Sequence, residues 1–69
     1  MLGVGLRQGF HMSELRVQFG RRLRQVRQQK DMTQEQFAEA AGISVDMLSN
    51  IERGVNAPSF ETLEKLAAE

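Results

Sequence analysis

The sequence predicts an all-α fold: four short helices in one compact domain over residues 13–69, behind a flexible N-terminal tail at residues 1–12. Three observations predict it. Apolar residues recur at spacings of three and four in successive segments, the period of a half-buried helix. Hydroxyl residues suited to capping, Thr33, Ser44 and Ser59, stand ahead of the last three segments. Gly42 and Gly54 close the second and third segments, where a left-handed residue ends a helix without steric cost.

The tail, MLGVGLRQGFHM, carries three glycines and no helical period. Leu2, Val4 and Leu6 alternate, which makes an edge strand conceivable, but the glycines between them weaken that reading. Ser13 opens the first helix, and Leu15, Phe19, Leu23 and Val26 form one stripe expected to be buried. Gly20 lies inside this helix at a cost of roughly 1 kcal/mol relative to alanine, so close packing is its expected reason. The apolar spacing lapses near Gln29 to Asp31, and there the helix should fade. The second helix runs from about Gln34 to Ala41. The Thr33 hydroxyl can accept from its third amide while Gln36 reaches back in a capping box, and Phe37, Ala38 and Ala41 face inward.

Gly42 then turns the chain. Ser44 caps a third helix, about Val45 to Arg53, with Leu48 and Ile51 inward and Met47 at the margin of the packing. After a loop at Val55 to Pro58, Ser59 caps a fourth helix whose expected inward face is Phe60, Leu63, Leu66 and Ala67. Two capped helices joined by so short a turn form a helix-turn-helix, an arrangement able to set its second helix into a DNA major groove.

Sixty-nine residues lie near the lower limit for a self-sufficient core, and there is no cysteine to staple it. No apolar run approaches the ~20 residues of a membrane span, and the first residues lack a secretory signal, so a cytoplasmic protein is the expectation. Net charge is zero but strongly divided. Residues 1–30 hold seven lysines and arginines against Glu14 alone, while residues 31–69 hold Arg53 and Lys65 against eight carboxylates. Such a dipole can present a basic surface to phosphate; the alternative is ordinary solvated charge on helix surfaces. Catalysis is not expected. His11 is the only histidine and lies in the tail, the carboxylates are scattered, and there is no glycine-rich phosphate loop. No cofactor and no metal are expected.

The segments RRLRQVR, MTQEQFAEAAGIS, LSNIERG and PSFETLEKLA, with their spacing, resemble the lambda-repressor and Cro type (XRE family) of helix-turn-helix domain. The resemblance runs from about Phe19 to Ala68. It implies an all-helical domain that binds a palindromic operator in double-stranded DNA as a homodimer. It assigns base contacts to Ser44, Val45, Asp46, Ser49 and Asn50. Among these, Asn50 can pair bidentately with adenine and Val45 can touch a thymine methyl. Asp46 can accept from cytosine or simply complement the helix dipole. Gln34 matches the family glutamine that fixes a phosphate and braces the recognition helix. Thr33, Arg24, Lys30, Arg53 and Asn56 are the further phosphate candidates. Arg27 and Glu52 match a family pair that ties the first helix to the recognition helix, so both are expected to be structural, like Gly42.

Two features depart from the family pattern. The loop Val55-Asn56-Ala57-Pro58 lacks a cation, which shifts the phosphate grip onto backbone amides, Asn56 and Arg53. The family's fifth helix is missing, which predicts exposure of Leu63, Leu66 and part of the first stripe; such a patch implies self-association or a fragment. The competing reading is a protein-interaction module or an antitoxin-type regulator that binds a protein partner. Under either reading, the tail at residues 1–12 is an extension preceding Met12 or an arm that touches DNA.

Overall fold

A computed structural model describes residues 12–69. The expected tail lies outside the described residues except for Met12, as do the conceivable strand at Leu2, Val4 and Leu6 and the lone His11. Among the described residues the chain is entirely helical, with α1 at Met12–Gln29, α2 at Gln34–Ala41, α3 at Val45–Glu52 and α4 at Phe60–Ala67. None of these helices is long and apolar enough to cross a membrane.

Local chemistry sets the helix boundaries. The Thr33 hydroxyl accepts from the Gln36 amide at 3.1 Å and the Gln36 side chain accepts from the Thr33 amide at 2.9 Å, closing the capping box of α2. Ser44 accepts from the Met47 amide at 3.0 Å to start α3, and Ser59 accepts from the Thr62 amide at 3.1 Å to start α4. The first three helices all finish in the same way. The Met32 amide bonds Arg27 O, that of Ile43 bonds Ala38 O, and that of Val55 bonds Asn50 O. Each closes a six-to-one ring around a residue in the left-handed region, namely Asp31 (φ 56°), Gly42 (φ 76°) and Gly54 (φ 77°). The ring at Asp31 turns Met32 back against the core, and the ring at Gly42 does the same for Ile43.

The core gathers Leu23 from α1, Phe37, Ala38 and Ala41 from α2, Leu48 and Ile51 from α3, and Leu66 from α4. Phe19, Met32, Ile43 and Val45 pack against it while half-buried. Gly20 explains how α1 comes so near α3. A Cβ at this position would stand 2.1 Å from the Ile51 carbonyl oxygen and 2.7 Å from that of Glu52. No side chain fits there.

Two expected inward faces are corrected. Leu15 is 41% exposed, because the first turns of α1 extend beyond the core that α2, α3 and α4 build around Leu23. Phe60 is 86% exposed and Ala67 is exposed as well. The Ser59 cap ties to Thr62, and that register turns Thr62 and Leu66, four residues apart, toward the protein. Phe60 then projects to solvent. The expected exposure of Leu66 is corrected as well: it is buried in the core, whereas Leu63 is half-buried. Between α1 and α4 an open apolar groove runs along Phe19, Leu23, Val26, Leu63 and Leu66, with Arg22, Lys30 and Glu69 on its rim.

Gly20→Ala tests the close approach. Alanine would add helix propensity worth about 1 kcal/mol, but its methyl meets backbone that cannot swing aside, a cost of about 1–3 kcal/mol or more. The expected outcome is a lower midpoint in urea unfolding. A variant as stable as the wild type would show that α1 and α3 do not pack this tightly.

Candidate nucleic-acid interface

A buried carboxylate at the end of α3 organises the site. Arg27 of α1 donates from Nε to Glu52 Oε2 at 2.7 Å and from Nη2 to Oε1 at 3.1 Å, a two-pronged ion pair. Its remaining nitrogen, Nη1, donates to the Met32 carbonyl at 2.8 Å. Gln34, the first residue of α2, donates from Nε2 to Glu52 Oε1 at 3.0 Å. The Arg27–Glu52 pair therefore collects α1, the following loop, α2 and α3 at a single point. Both partners are buried, and a buried charge survives only when paired and hydrogen-bonded as these are.

Around this junction lies a shallow polar depression lined by Arg24, Arg27, Gln34, Ser49, Glu52 and Arg53. It brings together four of the expected DNA-contact residues, Arg24, Gln34, Ser49 and Arg53. Arg27 is committed to Glu52, the sole ion pair among the described residues, which leaves Arg24 and Arg53 as the exposed cations of the depression. The start of α2 adds unpaired first-turn amides and the positive end of a helix dipole, both suited to an anion. Thr33 is exposed at this end, with its hydroxyl engaged in the cap.

The α3 residues divide by rotation about the helix. Ser44 and Asp46 are exposed, and Ser49 and Asn50 are half-exposed. Val45 differs from the expected outward face: it is half-buried and packs against the core, since its position lies at the boundary between the buried and open sides. Met47 is exposed, and its sulfur accepts from the Thr62 hydroxyl at 3.9 Å. Asn50 is engaged by a neighbour: Arg53 Nη2 donates to its Oδ1 at 2.7 Å. Sequence reading missed this contact, although a spacing of three on a helix was the available signal. The Met32 carbonyl as a third Arg27 acceptor carried no such signal.

Two expected phosphate residues are not gathered here. Lys30, in the turn just past α1, stands on the rim of the apolar groove rather than in the depression that Arg24 lines. Asn56 lines a separate recess between the end of α3 and the start of α4, with Met47, Pro58 and Thr62. Its backbone amide bonds the Asn50 carbonyl at 3.4 Å.

Two capped helices joined through a left-handed glycine, with the second carrying an open polar face beside a cationic depression, define a helix-turn-helix domain. The family model described as helix-turn-helix matches residues 23–69, and the chain belongs to that family. It is similar to the HTH-type transcriptional regulator YazB of Bacillus subtilis, 49% identical over 49 residues, which cover 71% of each chain. It is also similar to the HTH-type transcriptional regulator DdrOP3 of Deinococcus deserti, 49% identical over 47 residues, covering 68% of this chain and 36% of that one. A third relative is the immunity repressor protein of Bacillus phage phi105, 42% identical over 48 residues, covering 70% of this chain and 33% of the repressor. The chain thus spans most of YazB and about a third of the other two.

Arg27→Ala leaves the Glu52 carboxylate buried without its cation, an expected loss of about 3–5 kcal/mol. That is much of the stability of a domain this small, so thermal melting should show a severe drop. Arg27→Lys should recover little of it, because an ammonium cannot span Glu52 and the Met32 carbonyl as the guanidinium fork does. Melting temperatures unchanged in both variants would remove the pair from its structural role.

Proposed function

We propose that this domain binds double-stranded DNA sequence-specifically as a transcriptional regulator, with α3 in the major groove. The observation that carries the reading is the depression of Arg24, Gln34 and Arg53 lying directly beside the open face of α3. Phosphate contacts position a protein and base contacts specify the sequence, and this surface places the two kinds of donor side by side. In this reading Ser44, Asp46, Ser49 and Asn50 face base edges, with Val45 at the margin against a thymine methyl. Arg24, Arg53, Thr33, Gln34 and the α2 amides hold the phosphates on one side of the groove, and Asn56 holds them on the other. Lys30 borders the apolar groove and not the depression, so it is the least supported of the phosphate candidates. Gln34 serves twice, bracing α3 through Glu52 and offering its helix terminus to phosphate.

Two copies on a palindromic operator would set their recognition helices about one turn of DNA apart, roughly 34–36 Å. Among the relatives, the name of the phage immunity repressor supports regulation by repression, and those of YazB and DdrOP3 support transcriptional regulation of either sign. A second reading, a module that binds a protein partner in the manner of an antitoxin, is favoured by the open α1–α4 groove and by the exposed Phe60.

Selection of binding sites from random duplexes, followed by a salt titration on the selected site, tests the proposal. Affinity should fall with a log–log slope of about −0.9 for each phosphate neutralised. Asn50→Ala should lose about 1–3 kcal/mol of discrimination at one base position with the melting temperature nearly unchanged, since the Asn50 carbonyl holds the backbone of the following turn and the side chain's one bond is to the exposed Arg53. Absence of duplex binding at low salt, with salt-insensitive capture of a protein partner, would favour the second reading.

A further inference from the structure

The bond from Arg53 Nη2 to Asn50 Oδ1 contributes nothing to the core: Arg53 is exposed and Asn50 half-exposed. Its consequence is for the orientation of the Asn50 amide. A guanidinium has donors only, so the atom that meets it at 2.7 Å must be the carbonyl oxygen. The amide NH2 is thereby turned to the other side. Arg53 also lines the depression with Arg24 and Gln34. Of its five N–H donors one bond to Asn50 is made, and the rest of the fork remains available to a phosphate oxygen. One side chain therefore links the anion-binding depression to the open face of α3.

We infer that Arg53 is a positioning residue for base readout: it holds Asn50 as a hydrogen-bond donor, so that Asn50 selects a base edge rich in acceptors, guanine above all, over adenine. The inference rests on the reading of α3 as the helix that enters the major groove. Bidentate pairing with adenine requires Asn50 to accept from the adenine amino group while donating to N7. A second donor arriving at Oδ1 would have only its remaining lone pair, beside a positive guanidinium that repels the donor's hydrogen. An acceptor, guanine O6 or N7, meets the free NH2 unopposed. A phosphate held by Arg53 in the same complex would strengthen the arrangement, because it fixes the guanidinium beside Asn50. Phosphate grip and base choice are coupled through one residue.

The test uses the full chain as wild type, Arg53→Met, Asn50→Ala and the double variant. Each is measured at low salt on the selected site of the wild type, with each of the four bases placed in turn at the position that Asn50→Ala desensitises. The expected wild-type preference is guanine over adenine by about tenfold, the scale of one good base contact. Arg53→Met should reverse that order toward adenine, in addition to a general weakening. In the Asn50→Ala background, Arg53→Met should leave the flat base profile flat. If Arg53→Met weakens all four duplexes equally and keeps the wild-type order, Arg53 is a phosphate contact alone and the inference is overturned. A wild-type preference for adenine at that position overturns it as well. Failure of the wild type to bind any duplex removes the groove reading itself, a result separable from both.

Discussion

Glu52 is buried at the point where α3 must be held against the rest of the domain, and the placement of the whole open face follows from how that carboxylate is satisfied. Its two oxygens take three side-chain hydrogen bonds, two from Arg27 and one from Gln34, while Arg27 also secures the Met32 carbonyl. Apolar contacts through Leu48 and Ile51 keep α3 near the core but resist its rotation weakly, since dispersion is nearly blind to direction. Directed bonds to a planar fork are not. A buried pair of this kind adds little net stability over apolar side chains of the same volume. Its contribution here is to orient a helix whose outer residues must keep a definite heading.

The same stripe of α1 supplies this grip and the close approach that permits it. Gly20, Arg24 and Arg27 recur at spacings of four and three, so they lie on one side of the helix. Gly20 admits the carbonyls at the end of α3, Arg24 opens onto the depression, and Arg27 reaches Glu52. The arginine-rich run is thus not a uniform basic surface. Arg22, on another face, and Lys30, just past the helix, border the apolar groove instead. A count of cations along α1 overstates what α1 offers beside α3.

Legibility divided along the range of the interactions. Thr33 with Gln36, Ser44, Gly42 and Gly54 were readable because caps and left-handed terminators involve residues within a few positions of one another. The non-glycine terminator Asp31 was not, since an aspartate carries no strong demand for a positive φ. Periodicity gave the correct helices but misplaced Leu15 and Phe60. In an eight-residue helix such as α4 two rotational registers both look amphipathic, and only packing chooses between them. Lys30 and Asn56 failed to join the depression for a related reason: charge and amide content are visible in a sequence, but the side of the molecule on which they emerge is not.

The sequence by itself determined the all-helical class, the cap at the start of each of the last three helices and the turn at Gly42, because each is decided by neighbours along the chain. Tertiary structure alone decided that Arg27, Gln34 and Glu52 converge, that Gly20 faces backbone, and which cations share a surface with α3. Those relations join residues up to 32 positions apart. They depend on the rotation and separation of packed helices, which no local propensity encodes.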